Sequence, residues 1–523
     1  MAEAQSTGAT GTAVPSGPKR EILIVLPGLL LALIIAMLDQ TVVSTALPRI
    51  VGDLGGVTHL SWVVTSYVLA STVTTPLYGK LGDLYGRKRW LMIAIVIFLA
   101  GSALSGLSHT MDQLIMFRAL QGLGAGGLMV GVIATIGDLV SPRERGQYMG
   151  YMMASMMLAM IAGPLVGGYI TDSLSWRWIF YINMPIGGAA LIYLFLTLHL
   201  PYKKVQHKID YLGAGLLAVA ATAITLLTTW GGTQYAWGSG QILGLGALAI
   251  ISVGLFLYTE TRAAEPVLPL HVFRNRNFSV ATGMSFLLGM AMLGALTFLP
   301  LYQQTVQHLS AVGSGLMLIP MMLGVTTTSL IGGFVMTKTG RYRFMPIVGG
   351  AIMSVAMILL TGLSATTSLF QAGVYYVILG VGMGFLMQIT SVIVQNSVQP
   401  KDIGVASSSR TFFQQIGGSI GVAMFGAIFA RRLVDSLTAR VPGAHLNASG
   451  GQLNPVTVNH LPAVIRHDVF LAISHALDGV FIWAVPAAIA VFVLAWFIKE
   501  VPLRSSVAPP PKEEPASEPE FAA

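Results

Sequence analysis

Two charged residues lie where an apolar helix would bury them. Asp39 stands inside the apolar run that begins near Ile22, and Arg118 inside the run that begins near Leu114. By helical rise, Asp39 lies about 12 Å from the end of its helix, and Arg118 lies about 9 Å from the start of its helix. Both of these helix ends are on the same side of the membrane, so the opposite charges lie at similar depth. Such a pair can couple proton binding to helix movement. A carboxylate that only fastens two helices, and an arginine that snorkels to the surface, are the structural alternatives.

The composition excludes a water-soluble globule. Of 523 residues, 54% are hydrophobic and only 10% are charged, against about 25% charged in an average soluble domain. There is no cysteine, and the ten histidines form no H-E-x-x-H pair, which disfavours a metal site. The net charge of +8 does not indicate nucleic acid binding, because most basic residues lie in short loops between apolar segments. That pattern orients a protein in lipid.

Fourteen apolar stretches of about 18 to 27 residues predict fourteen transmembrane helices, since that length crosses a hydrocarbon core of about 30 Å. They begin near Ile22, Ser61, Trp90, Leu114, Gln147, Trp178, Tyr211, Gln241, Val280, Gly315, Met345, Gln371, Phe412 and Ala476. The fifth and eighth are the least sharply bounded, so thirteen or twelve helices are the alternatives. Short loops on one side carry nearly all the Lys and Arg residues, which predicts that both termini are cytoplasmic.

An internal repeat divides the chain. GKLGDLYGRKR from Gly79 recurs as GFVMTKTGRYR from Gly333, and GLGAGGL from Gly122 recurs as GVGMGFL from Gly380, at offsets of 254 and 258 residues. A proline followed four residues later by glycine recurs at 142 and 400. Three ordered matches predict two homologous six-helix bundles, an arrangement in which transporter halves rock about a midplane site.

The repeat and the loop compositions predict the domain boundaries. In order, these are a disordered N-terminus (1–20), an N-terminal six-helix bundle (21–200), a linker (201–210), an extra two-helix insert (211–260), a cytoplasmic linker (261–278), a C-terminal six-helix bundle (279–500) with an extracellular loop (431–475), and a disordered tail (501–523). The two ends are rich in small or Pro and Glu residues, which cannot bury enough apolar surface to fold.

Six ordered motifs resemble the major facilitator superfamily, and within it the fourteen-span drug:proton antiporter branch. They are LDQTVVSTALPRI from Leu38, WVVTSYVLA from Trp62, GKLGDLYGRKR from Gly79, LIMFRALQGLGAG from Leu114, GPLVGG from Gly163 and WRWIFYINMPIG from Trp176. The resemblance implies an all-α integral membrane protein that exports lipophilic, cationic drugs or antibiotics by alternating access. It also implies that Asp39 and Arg118 handle the proton or a substrate cation, with the proton as coupling ion and no cofactor.

The GPLVGG motif marks antiporters in the family. Its members here are Gly163, Pro164, Gly167 and Gly168. Proline removes a backbone donor and glycine permits close approach, so we expect a bent helix that packs tightly and seals one state. Ordinary helix packing is the alternative, and Ala159 stands where the family often has glycine.

The basic loop is predicted to be a conformational latch formed by Gly79, Asp83, Gly86, Arg87 and Arg89. Its acid can cap a helix or pair with a loop arginine, and these bonds would hold the two bundles together in the outward-open state. Positive charge needed only for topology is the alternative. In the second copy a threonine replaces the acid, so only the first latch can be charge-based.

The spans contain polar groups, and the chain has 26 methionines. Together these predict an adaptable substrate cavity. The alternative is that the methionines only fill space between helices. The tentative cavity residues are Tyr67, Met156, Tyr302, Gln303, Gln304 and Gln388. The expected partners are small lipophilic or cationic substrates, protons and membrane lipid.

Two other classes of function stay open at this point. An uptake symporter would share the fold, and a membrane-embedded lipid-modifying enzyme would need clustered His, Asp or Glu residues, which here are scattered. No Walker loop is present, so a secondary active transporter rather than an enzyme or an ATP-driven pump is expected. Short loops and the lack of cysteine are compatible with a bacterial inner membrane.

Overall fold

The structure is a computed structural model, and most of the residues it describes are helical. The described residues are 18–54, 60–141, 144–200, 210–232, 234–263, 266–307, 309, 311–364, 366–440 and 463–502. The predictions of disorder for most of 1–20 and of 501–523, and the prediction of a linker at 201–209, fall on residues outside these ranges.

Seven helices form the N-terminal bundle and two form the insert. They are α1 (Pro18–Leu54), α2 (Leu60–Tyr85), α3 (Arg87–Gly106), α4 (Met111–Leu139), α5 (Arg145–Ser173), the short α6 (Trp178–Tyr181), α7 (Asn183–Thr197), α8 (Tyr211–Trp230) and α9 (Gly240–Glu260). The polypeptide turns between α6 and α7 at a single residue, so these two helices together make the sixth membrane segment.

Seven more helices form the C-terminal bundle. They are α10 (Arg276–Thr305), the short α11 (Ala311–Leu316), α12 (Ile319–Thr339), α13 (Phe344–Leu360), α14 (Leu369–Asn396), α15 (Ile403–Arg440) and α16 (Ala463–Trp496). Both α15 and α16 extend into the segment 431–475 that the sequence assigns to an outer loop, so only 441–462, outside the described residues, is left for that loop.

The fourteen-segment fold predicted from the sequence is confirmed. Within the described residues, eleven helical segments are long and apolar enough to cross a membrane. Three further helices complete the fourteen: α13, which is apolar with 17 residues, and the more polar α2 and α5, with 26 and 29 residues. At 1.5 Å per residue, α2 and α5 are about 40 Å long, enough to cross a bilayer.

The two bundles repeat the same helix contacts. Gly122 of α4 lies against the backbone of Tyr67 on α2, and Gly380 of α14 lies against the backbone of Met321 on α12. Tyr67 and Met321 are themselves separated by the repeat offset of 254 residues. In each half the missing side chain allows two helices to pack at backbone distance.

Two seams join the bundles, one between α2 and α15 and the other between α5 and α12. We call the end of the molecule that carries loops 79–89 and 333–343 the basic face. There Gly79 lies against Gly404 and Ser408, and Gly333 lies against Gly146. The two bundles are therefore closed against each other at the basic face.

The insert lies over one of these seams. α8 packs against both α2 and α15, and Leu217, Ala221 and Phe256 of the insert share an apolar cluster with Phe412 and Ile416 of α15. The extra helix pair thus touches both bundles at the place where they meet.

Candidate functional site

The Asp39 carboxylate lies inside the N-terminal bundle and is 1% exposed. Its Oδ2 accepts a hydrogen bond from Arg118 Nη1 of α4, within an ion pair. Its Oδ1 accepts from Gln121 Nε2 at 2.8 Å and from Asn183 Nδ2 at 3.1 Å. Helices α1, α4 and α7 therefore converge on one acid, which holds a counter-charge and two amide donors.

Arg118 is equally buried, at 1% exposure, and its guanidinium is satisfied on several sides. It donates to Gln121 Oε1 at 2.7 Å and, through Nε, to the Val63 carbonyl at 3.3 Å. Its guanidinium carbon lies 4.3 Å from the centre of the Tyr67 ring and 5.8 Å from that of Phe180. Arg118 therefore does not snorkel to the surface, because aromatic rings and a carboxylate enclose it.

A second layer of hydrogen bonds holds Asn183 in place. Its Nδ2 donates to Ser102 Oγ of α3 at 2.9 Å, and that hydroxyl donates to the Phe180 carbonyl at 2.9 Å. The Asn183 Oδ1 atom is buried and has no hydrogen-bond partner. The site therefore contains one unused acceptor next to the carboxylate.

Sequence reasoning brought Asp39 and Arg118 to one depth but missed Gln121, Asn183 and Ser102. Gln121 had a usable signal, because it follows Arg118 by three residues and so shares its helix face. The other two depend on which faces of α3 and α7 meet α1, and no local pattern states that. Tyr67, predicted to line a substrate cavity, instead stacks on Arg118.

The antiporter motif packs directly beside this site. Gly163 of α5 lies against the side chain of Thr41, two residues after Asp39 on α1. Thr41 Oγ1 also donates to the Ala159 carbonyl at 3.4 Å. Any side chain at 163 would push α5 away from α1.

The remaining motif positions contribute less contact. Gly167 is buried, whereas Gly168 has no atom within 4 Å of the place where a Cβ would stand. Pro164 lies within α5, but its side chain is outside what the structure describes. The tight approach expected of the motif is thus found at its first glycine.

The same α5 helix reaches the C-terminal bundle. Thr326 Oγ1 of α12 donates to the Met157 sulfur at 3.2 Å, and Met153, Met157 and Met160 pack against the C-terminal core. Because α5 touches α1 on one side and α12 on the other, it connects the buried acid to the seam between the bundles.

The basic loop contains the charge arrangement predicted for a latch. Asp83 accepts from the backbone N–H groups of Gly404 and Val405, at 3.0 and 2.8 Å, at the start of α15. A carboxylate is favoured at a helix N-terminus by its free N–H groups and by the helix dipole. Asp83 thereby binds the N-terminal bundle to the C-terminal one.

Arg87 completes this arrangement, whereas Arg89 does not join it. The Arg87 guanidinium bonds to Asp83 at 2.8 Å and to Asp138 of α4 at 2.5 Å, and Arg89 is exposed. Gly86 has a φ of 93°, a backbone conformation that favours glycine.

The tentative cavity residues do not come together in one place. Tyr302, Gln303 and Gln304 lie near the end of α10 and bond to Ser364, Tyr376 and Ser314. Met156 packs against the N-terminal core. Gln388 of α14 is 1% exposed and lies against α5 and α12. Neither its amide nitrogen nor its amide oxygen has a hydrogen-bond partner.

Arg410 is a further buried arginine, which sequence reasoning missed. It lies on α15 and is 6% exposed. The thirteenth span was predicted to begin near Phe412, which placed Arg410 before it, but α15 begins at Ile403. The serine run before the arginine hid the start of the helix.

Fold and site together define a membrane transporter built from two helix bundles. The chain belongs to the Major Facilitator Superfamily, whose family model matches residues 29–422, as its motifs indicated. Members of this superfamily are transporters rather than enzymes, and the chain is a multi-pass membrane protein.

Several relatives carry names that describe transport. The chain is 41% identical over 484 residues to an uncharacterised MFS-type transporter of Mycobacterium tuberculosis, covering 92% of this chain and 70% of that protein. It is 40% identical over 423 residues to the multidrug transporter protein MdtP of Bacillus subtilis, covering 81% and 78%. To multidrug resistance protein 3 of the same species it is 34% identical over 474 residues, covering 88% and 92%.

A solved structure shows the same fold. The human organic anion transporter MFSD10 (TETRAN) superposes with a TM-score of 0.59 at 15% sequence identity, covering 92% of this chain and 99% of that one. At that identity the likeness concerns the fold alone.

Proposed function

We propose that the protein is a proton-coupled antiporter that exports lipophilic compounds, cationic drugs or antibiotics among them, across the cytoplasmic membrane by alternating access. The observation that carries the proposal is the Asp39 carboxylate, held inside the bundle by Arg118, Gln121 and Asn183. The multidrug names of relatives up to 40% identical support export of drugs. The basic face is then cytoplasmic, as expected from the positive charge of its loops.

Protonation of Asp39 changes the charge balance of the bundle core. With the carboxylate ionised, the pair with Arg118 is neutral overall. With a proton bound, the arginine keeps Gln121 and the Val63 carbonyl but loses its counter-charge. Because an uncompensated charge at this depth is costly, proton binding favours a different arrangement of the helices around Arg118.

The site also offers a partner for the proton itself. A protonated carboxyl needs a hydrogen-bond acceptor, and the buried Asn183 Oδ1 has none of its own. Rotation of the amide by half a turn puts this oxygen where Nδ2 now lies, 3.1 Å from Asp39 Oδ1. Both protonation states of the acid can therefore be satisfied within the bundle.

The change has a route to the seam. α1 carries Asp39 and packs through Thr41 on Gly163 of α5, and α5 packs through Met157 on α12. In this conformation the basic face is closed and Asp83 binds the start of α15, which corresponds to an outward-facing state if the basic face is cytoplasmic. A proton entering from outside would then favour release of cargo and return of the carrier.

The available driving force suits this task. A charge moved inward gains about 2.3 kcal/mol per 100 mV of membrane potential, and each pH unit adds about 1.4 kcal/mol. These amounts are comparable with the differential affinities that shift a two-state equilibrium tenfold or more.

The experiment uses proteoliposomes containing the full chain and a lipophilic cationic dye. We expect Asp39→Asn to abolish dye transport driven by an imposed pH gradient, while dye-for-dye exchange without a gradient continues. Asp435→Asn, which alters an exposed acid, is the matched control and should transport normally. Gradient-driven transport by Asp39→Asn would contradict the proposal. Movement of the dye in the same direction as the protons would indicate a symporter.

A further inference from the structure

Arg410 is a buried cation whose described partners are all neutral. Its Nε donates to Thr390 Oγ1 at 3.2 Å and its Nη2 donates to the Met387 carbonyl at 3.1 Å, both on α14. By helical rise it lies about 10 Å from the start of α15. Among the residues that the structure describes, no carboxylate lies within ion-pair distance of it. Arg118, at similar burial, has Asp39.

The helix face that carries Arg410 points to the junction of the bundles. Ser407, one turn earlier on the same face, accepts a hydrogen bond from Gln395 at 3.0 Å. The Gln395 amide also lies 3.5 Å from the Ile133 carbonyl of α4 in the other bundle. Arg410 therefore lies next to contacts that must separate when the basic face opens.

A second, independent observation lies on the neighbouring helix. Gln388 is 1% exposed, yet neither its Nε2 nor its Oε1 has a hydrogen-bond partner. It lies against Gly146 of α5 and Gly332 of α12, and so also in the seam. A buried amide with no partner is costly, and a polar group that enters the seam would supply one. It follows Met387, whose carbonyl holds Arg410.

We propose that Arg410 binds the carboxylate of an amphiphilic substrate that enters the seam when the basic face opens, and that Gln388, on another face of α14, contacts the same molecule. This inference rests on the proposed export function and specifies one chemical class of its cargo. The planar guanidinium of Arg410 carries N–H donors in a fork that matches the two oxygens of a carboxylate. A monoanion neutralises one arginine, whereas a doubly charged phosphate would leave charge uncompensated at this depth.

The surroundings suit the rest of such a molecule. Met387 and Met149 lie beside the polar groups, with Ser391 Oγ against the Met149 sulfur, and methionine packs adaptably against varied apolar shapes.

The test compares two dyes that differ in one group. Rhodamine 19 has a free carboxylate, and rhodamine 6G is its ethyl ester. Binding to the purified full-length protein in lipid nanodiscs is measured by fluorescence anisotropy, with no proton gradient. We expect the wild-type protein to prefer rhodamine 19, and Arg410→Gln to weaken that dye about 10- to 100-fold, as for a lost charge-assisted hydrogen bond. Rhodamine 6G should change by less than about twofold.

Two further variants separate binding from folding. Arg410→Lys keeps the charge and should retain part of the preference for rhodamine 19. Gln388→Met removes two unpartnered polar atoms at similar volume, so its thermal midpoint should be equal to or above that of the wild type. It should nevertheless weaken both dyes by a similar factor, about threefold to tenfold, because Gln388 lies on another face of α14 from Thr390, which holds Arg410.

Three results would overturn the carboxylate site. They are equal weakening of both dyes by Arg410→Gln, no preference of the wild type for the acid, and no binding of rhodamine 19 at all. Failure of the proposed export function gives a different pattern, because selective binding of rhodamine 19 would persist while a pH gradient drove neither dye across the membrane.

Discussion

The two halves of the molecule share a backbone frame but differ in polar chemistry. Gly86 and Gly340 both have positive φ, 93° and 70°, at positions separated by the repeat offset. Within the two bundles, Arg118 of the first half corresponds to Tyr376 of the second, at the repeat offset of 258 residues. Arg118 pairs with Asp39, whereas the Tyr376 hydroxyl accepts from Gln303 Nε2 at 2.6 Å.

This difference separates two tasks. Under the proposed alternating access, both halves need the same helix contacts to rock as rigid bodies, and the glycines provide them. A titratable pair is needed only once for a proton to bias the equilibrium. The N-terminal bundle contains the Asp39–Arg118 pair, whereas the C-terminal bundle contains Arg410, which we propose for cargo.

The seams show the same contrast at the basic face. In the first, Asp83 binds two N–H groups at the start of α15. In the second, the equivalent Thr337 donates to the Gly333 carbonyl of its own helix at 2.9 Å. Asp83 therefore binds across the first seam, whereas the equivalent Thr337 bonds within its own helix.

The largest effect is expected from breaking the charged pair. Arg118→Gln leaves the Asp39 carboxylate buried without a counter-charge, which should lower the free energy of unfolding by about 3–5 kcal/mol. Tyr376→Phe, the equivalent change in the other half, removes one neutral hydrogen bond and should cost about 1–3 kcal/mol. Denaturant titration of the purified proteins measures both.

A double variant checks the cause of that loss. Asp39→Asn combined with Arg118→Gln removes the orphan charge and should recover part of the stability lost by Arg118→Gln alone. If the double variant is less stable than the single one, the pair does not contribute through charge.

The charged seam should be the one that opens on mutation. Asp83→Asn removes charge-assisted bonds of about 1.5–3 kcal/mol, so the open form should become about tenfold or more populated. The chain lacks cysteine, so Ser408→Cys, at a 1% exposed position, reports opening through its rate of maleimide labelling. Thr337→Val with Met336→Cys is the matched pair in the other seam and should label no faster than Met336→Cys alone.

The smallest effect tests the shared frame. Gly86→Ala and Gly340→Ala each place a Cβ on a left-handed residue and should each cost about 1 kcal/mol in free energy of unfolding. A cost at only one of them would show that the two loops do not use the same backbone geometry.

Much of the helix arrangement follows from the sequence, because the lengths of the apolar runs and the repeated glycines predict where the helices lie and pack. The depth of Asp39 and Arg118 followed from helical rise alone. Asn183 and Ser102 could not be assigned, because their role depends on the rotation of α7 and α3 against α1. Arg410 was missed because the first turns of α15 are polar and do not form an apolar run.

The central claim is that the Asp39 carboxyl changes protonation during transport. Infrared difference spectroscopy of the protein in lipid, recorded with and without a transported dye at fixed pH, compares the wild type with Asp39→Asn. The account predicts that the wild type shows a protonated-carboxyl band that changes on dye binding, and that Asp39→Asn lacks it. Identical spectra from the two proteins would contradict the account.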